Sequence, residues 1–233
     1  MNNDYGIDIW SDDNFIIEDG VVKVNYDCKP SLISIVKNIR KQDFKGPLLL
    51  RFPHITNKQI TTLFDTFNAS IKEYDYKGTF SAVFPLKVNQ LPNFVHPLVS
   101  IGKKYNYGLE AGSKAELIIA MTYNTIGSPI TINGFKDKEM IHLCFIAKSM
   151  GHNITIIIEG LNELEMIIEV LNETKMACPN VGLRVRLHSG GSGLWAKSGG
   201  INSKFGLTST EILEAYELME DNNIVDYLTM IHF

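Results

Sequence analysis

Ala82-Val-Phe-Pro-Leu-Lys-Val-Asn-Gln90 is an apolar stretch with a lysine near its end. Side chains alternate across a strand. Ser81, Val83, Pro85, Lys87 and Asn89 then share one face, and Phe80, Ala82, Phe84, Leu86 and Val88 share the other. The second face is apolar throughout and suits contact with helices. The first carries the polar groups. Lys87 falls near the C-terminal end of the strand, the end at which β/α barrels build their active sites. Pro85 weakens a central strand and marks a local distortion that aims Lys87.

Working outward, the chain alternates strand and helix signals. Candidate strands follow at 107–111, 129–133, 154–159, 181–187 and 227–233. Amphipathic helices lie between them. Ser113 with Glu116, Asn162 with Glu165, and Thr208 with Glu211 are capping-box spacings, and a further helix runs from Asp137 to Gly151. Upstream, residues 14–24 read as a hairpin around Glu18-Asp19-Gly20. Ser31 caps a helix with the stripe Leu32, Ile35, Val36 and Ile39. Pro47 to Arg51 reads as a strand, and a helix is expected from Thr56 with Gln59 completing its box. Repeated βα units predict a parallel sheet with helices outside it, either a doubly wound open sheet or a (β/α)8 barrel. No G-x-G-x-x-G follows the first strand, which weighs against the dinucleotide fold. A barrel would have about six of its eight strands here. The chain is therefore expected to be the N-terminal part of a longer protein. Its expected division is residues 1–46, strands and a helix that join a β-rich domain, and residues 47–233, an incomplete barrel.

The 233 residues are 45% hydrophobic and 21% charged, enough to bury a large core. A net charge of −4 without a long Lys/Arg run argues against nucleic acid as a partner. No apolar run is long enough to span a bilayer, so no membrane is expected. Cys28, Cys144 and Cys178 are far apart and lack zinc-like spacing. They read as reduced thiols of a cytoplasmic protein.

An inward lysine at a strand end is desolvated, which favours a neutral, nucleophilic amine suited to Schiff-base chemistry. The competing reading is an ordinary lysine that reaches out to solvent or pairs with a carboxylate. Val181-Gly-Leu-Arg-Val-Arg-Leu187 places Gly182, Arg184 and Arg186 on one face. Two inward arginines need an anion, such as a phosphorylated or phenolate-bearing ligand, or a structural partner such as Glu110. Gly190-Gly-Ser-Gly193 and Ser198-Gly-Gly200 read as a flexible loop or lid; glycine-rich backbone can also cradle phosphate.

Phe84-Pro-Leu-Lys-Val-Asn-Gln90 resembles the cofactor-lysine motif of biosynthetic arginine decarboxylases, pyridoxal-phosphate enzymes of the alanine-racemase-like barrel class. Tyr5-Gly-Ile-Asp-Ile-Trp10, Tyr107-Gly-Leu-Glu-Ala-Gly-Ser-Lys-Ala-Glu-Leu117, Asn133-Gly-Phe-Lys-Asp137, Gly182-Leu-Arg-Val-Arg186, Ser203-Lys-Phe-Gly206 and Ile231-His-Phe233 agree in order and spacing. The resemblance spans essentially the whole chain. It implies Lys87 as the Schiff-base lysine, and Arg184 and Glu110 beside the cofactor. It places Lys204 near a subunit interface and Glu116 near the site, although Glu116 also serves as a capping-box acid. It further implies a cofactor-stacking histidine two residues beyond His232 and a site completed by later chain at a dimer interface.

The activity implied is conversion of L-arginine to agmatine and carbon dioxide, feeding putrescine and spermidine synthesis. The full-length enzyme is expected to use pyridoxal 5'-phosphate with magnesium and to form a homo-oligomer, dimer or tetramer. No metal constellation is legible in the residues themselves. Alternatives are a diaminopimelate or ornithine decarboxylase of the same class, or a non-catalytic homologue. The chain shown is expected to be inactive alone.

Overall fold

The computed structural model describes residues 4–187 and 205–233. Both glycine clusters and the Ser203-Lys204 pair lie outside the described residues. The chain forms two compact units, Met1–Leu63 and Phe64–Phe233.

In the first unit, helix α1 (Ile7–Trp10) precedes an antiparallel hairpin of β1 (Phe15–Glu18) and β2 (Val21–Val24). The turn is Asp19-Gly20, with φ of 55° and 71°. Two positive φ values match the right-handed twist of the strands, and Gly reaches them without a Cβ clash. Helix α2 (Leu32–Arg40) starts where the Ser31 hydroxyl accepts the Ser34 N–H. Helix α3 (Pro53–Glu73) begins three residues before Thr56, so Thr56 and Gln59 lie inside it. Proline in the first turn loses no helical hydrogen bond and has its φ pre-set. The strand expected at residues 47–51 does not form: that backbone pairs with no strand among the described residues, and Leu49 is exposed. An apolar run becomes a strand only when another strand takes up its N–H and C=O groups.

The second unit is a six-stranded sheet in the order β3 (Val83–Pro85), β4 (Gly108–Ala111), β5 (Pro129–Ile132), β6 (Asn153–Ile158), β7 (Asn180–Arg184) and β8 (Leu228–His232). Every neighbouring pair is parallel. Helices α4 (Pro92–Gly102), α5 (Lys114–Tyr123), α6 (Lys138–Ser149), α7 (Leu161–Thr174) and α8 (Ser209–Asp221) make the crossovers. Parallel crossovers are right-handed. Strands added in sequence order therefore put all these helices on one face, the progression of a β/α barrel that is incomplete here.

Register separates the two faces of the sheet. Ala111, Ile132, Ile156 and Val181 align across four strands and are fully buried, as are Ile130 and Ile154. Buried residues of α5, α6 and α7, among them Leu117, Phe145 and Ile167, supply the helical side of this core. Pro85, Glu110, Thr131, Thr155 and Asn180 align on the opposite face. The β3 strand is shorter than the sequence pattern suggested. Val88 N–H bonds to the Pro85 carbonyl at 3.1 Å and turns the chain away from the ladder. Among the described residues, no helix is long and apolar enough to cross a membrane.

In this second unit, three expected caps form. The Ser113 hydroxyl accepts the Glu116 N–H, the Asp137 carboxylate accepts the Met140 N–H, and Thr208 with Glu211 makes both halves of a capping box. The Asn162–Glu165 box does not. Helix α7 starts at Leu161, and Glu163, its third residue, takes the strand-end N–H of Glu159 at 2.8 Å.

Candidate active site

The C-terminal ends of β3, β4, β6, β7 and β8 carry one group of polar side chains. Lys87 occupies the turn after β3 rather than the strand itself. Its side chain is 71% exposed, with Nζ 3.9 Å from Glu110 Oε1. The desolvation inferred from the strand pattern is thus not supplied by the residues around it. Glu110 pairs in register with Pro85, and its backbone carbonyl accepts the Leu86 N–H at 2.9 Å. This hydrogen bond extends the ladder one residue past the strand and sets where the Lys87 turn begins.

Arg184 ends β7, and its Nη1 donates to Glu159 Oε1. Glu110, the partner considered from sequence, is occupied on the Lys87 side. Glu159 is the residue that strand reading left out. Its signal was present, because Thr155, Ile157 and Glu159 have the same parity, and Thr155 aligns with Glu110 through Thr131. Arg184 also lies over the Phe205 ring, 5.4 Å from its centroid. Arg186 does not join this group. Regular pairing of β7 ends at Arg184, and Arg186 donates to the Gly206 carbonyl at 2.9 Å, turned toward the start of α8. Period-2 alternation fails where a strand ends, which is why the two arginines part.

His232 is the register partner of Arg184. Burial holds its imidazole below the ordinary pKa; Arg184 adds to this, and Glu110 and Glu159 pull the other way. All three charges therefore act on one ring. Its Nδ1 is buried without a hydrogen-bond partner. Polar atoms buried this way are uncommon in proteins.

Glu116 is buried and serves the same end of the sheet. Its Oε2 accepts the Gly112 N–H at 2.7 Å, and its Oε1 accepts from Gln90 Nε2 at 2.9 Å. It thereby ties the segment after Lys87 to the end of β4. Among the described residues, no cluster of three or more His, Cys, Asp or Glu is placed to hold a metal ion.

Comparison with known proteins adds a family signal. The model of the pyridoxal-dependent decarboxylase family, pyridoxal binding domain, matches residues 57–232. A biosynthetic arginine decarboxylase of Bacteroides thetaiotaomicron is 41% identical over 98% of this chain and 37% of its own length. One from Prochlorococcus marinus is 37% identical over 98% of this chain and 36% of its own. The crystal structure of the biosynthetic arginine decarboxylase SpeA from Campylobacter jejuni superimposes with a TM-score of 0.90 and 58% identity, over 99% of this chain and 36% of that one. A diaminopimelate decarboxylase from M. jannaschii, solved with L-lysine, shares the fold at a TM-score of 0.66 and 21% identity, over 94% of this chain and 46% of its own. The chain thus spans a little over a third of the length of these curated relatives.

Proposed function

Because the chain belongs to the pyridoxal-binding domain family of pyridoxal-dependent decarboxylases, we propose that it is the lysine-bearing part of an arginine decarboxylase that converts L-arginine to agmatine and carbon dioxide. The observation that carries the reading is Lys87, a primary amine at the active-site end of the sheet, exposed and 3.9 Å from a carboxylate. Fold alone would not assign an activity. The specific substrate rests on the arginine decarboxylases that match nearly the whole chain.

The residues present fit pyridoxal phosphate. An aldehyde-bearing aromatic group needs a reachable amine, and Lys87 supplies one. It needs groups along its ring, and Arg184, Glu110 and the unpartnered Nδ1 of His232 belong to one end of one sheet. When bound, the cofactor supplies an electron sink for the pair left behind as carbon dioxide departs.

The chain's own residues have separate tasks. Lys87 would hold the cofactor and accept it back after the reaction. Glu110, within 3.9 Å of Nζ, is placed to hold or return the proton that Lys87 must give up. Glu159 orients Arg184, whose guanidinium keeps further N–H donors for a ligand. His232 presents a mainly neutral imidazole at neutral pH, because burial disfavours its charged form.

The hairpin and first helix, residues 1–46, are assigned to a β-rich domain, and residues 47–233 to the barrel portion. The working protein is taken to be a cytoplasmic homo-oligomer, dimer or tetramer, supplying putrescine and spermidine synthesis. Three free cysteines suit that compartment.

The test is carbon dioxide release by the full-length protein offered L-arginine, L-ornithine and meso-diaminopimelate in parallel. Release from arginine well above the other two supports the reading. Preference for either rival reassigns the substrate. Cofactor uptake without release from any of them marks a non-catalytic homologue.

A further inference from the structure

Lys136 lies between β5 and α6, and none of its side chain reaches solvent. Its Nζ donates to both carboxylate oxygens of Glu163, at 3.1 and 3.0 Å, and to the Gly134 carbonyl. The Glu163 side chain is 8% exposed. An ion pair taken this far out of water is a poor source of stability, because desolvation offsets the Coulomb attraction. Its contribution is better sought in what it holds in place.

Glu163 Oε2 accepts the N–H of Glu159 at 2.8 Å. Glu159 in turn accepts from Arg184. One connected path therefore runs from a buried cation through a buried anion to a strand-end amide, a carboxylate and a guanidinium. The βα unit of β4 and α5, two places earlier in the sheet, repeats the first half of this device. Glu116, also the third residue of its helix, reaches back four residues to the Gly112 N–H and sideways to Gln90 in the preceding loop. There the sideways partner is a neutral amide. The lysine version occurs on the unit whose strand-end residue holds Arg184.

We propose that Glu163 is a positioning residue for Arg184, its buried acceptor oxygen fixing the Glu159 end of β6 and thereby the guanidinium, while Lys136 balances its charge. The importance of Arg184 to catalysis rests on the decarboxylase reading; the positioning does not.

The experiment uses the full-length protein freed of cofactor. Phenylglyoxal modification of Arg184 is followed by peptide mass spectrometry, with Arg40, Arg51 and Arg186 as internal controls. Pyridoxal phosphate is then titrated. Lys136→Met alone strands a buried carboxylate and can unfold the chain, so two double variants carry the test. K136M/E163Q removes both charges but keeps an acceptor for the Glu159 N–H. K136M/E163L removes the acceptor as well. The expected result is near-native modification in the glutamine variant and roughly tenfold faster modification of Arg184 in the leucine variant, with cofactor binding weakened by a similar factor. Native protection of Arg184 in K136M/E163L would overturn the proposal. Unfolding of either double variant would assign the pair to the fold itself and overturn it too. If the unaltered protein binds no pyridoxal phosphate, the decarboxylase reading fails, while the modification rates still decide the positioning.

Discussion

Replacing Lys87 with alanine separates a chemical role from a structural one. The Lys87 side chain is 71% exposed, and its nearest opposite charge is Glu110, 3.9 Å away. Two unit charges at that distance, largely in water, attract by about 1 kcal/mol. Exposed pairs measured in proteins contribute about 0–1 kcal/mol. Loss of that pair lowers Tm by no more than about 3 °C. Activity should respond very differently. The variant removes both the amine that would hold the cofactor and the proton carrier beside Glu110, so turnover should fall by about 10³-fold or more. The assay compares full-length wild type and Lys87→Ala by carbon dioxide release from arginine, by thermal melting, and by borohydride reduction with peptide mapping to locate the cofactor's attachment. A melting point lowered by about 10 °C would show that Lys87 supports the fold, contrary to its exposure. Turnover within about tenfold of wild type would end its assignment as the cofactor lysine.

Gly108→Ala should be severely destabilising. A Cβ there would lie 2.0 Å from the Pro129 carbonyl oxygen and 2.7 Å from Pro129 Cγ. Because backbone cannot move aside cheaply, β4 and β5 would separate at a cost of about 3 kcal/mol or more; an unchanged urea midpoint would contradict this. Native protein treated with iodoacetamide at mildly alkaline pH should be alkylated at the exposed Cys28 and spared at Cys144 and Cys178, whose thiols burial pushes up to about 12. Peptide mapping that found Cys144 alkylated without prior unfolding would refute that burial. Stability should fall as pH drops below about 6.5, because burial lowers the pKa of His54, His152 and His232, so the unfolded chain takes up protons that the folded chain resists. The contribution is present above that pH and lost below it. His152→Gln should reduce the loss of Tm between pH 7 and pH 5, and equal losses in both proteins would remove His152 from the account.

Local chemistry in the sequence determined a great deal. The strand-helix rhythm, the Asp19-Gly20 hairpin turn, and the caps at Ser31, Ser113, Asp137 and Thr208 all depend on residues within a few positions of one another, and each is present in the structure. Lys87, Glu110 and Arg184 could be named from strand parity and motif because each stands within two residues of the end of its own strand. What failed needed information from elsewhere in the chain. Residues 47–51 looked like a strand but have no pairing strand among the described residues. Asn162 had capping spacing, yet Glu163, buried against Lys136, captured the strand-end amide. Arg184 took Glu159 rather than Glu110, and Arg186 turned to the Gly206 carbonyl where β7 ended. Periodicity sets which way a side chain points. Which charge it meets is settled only when parallel strands come into register, because the partners come from different strands brought side by side by the crossovers.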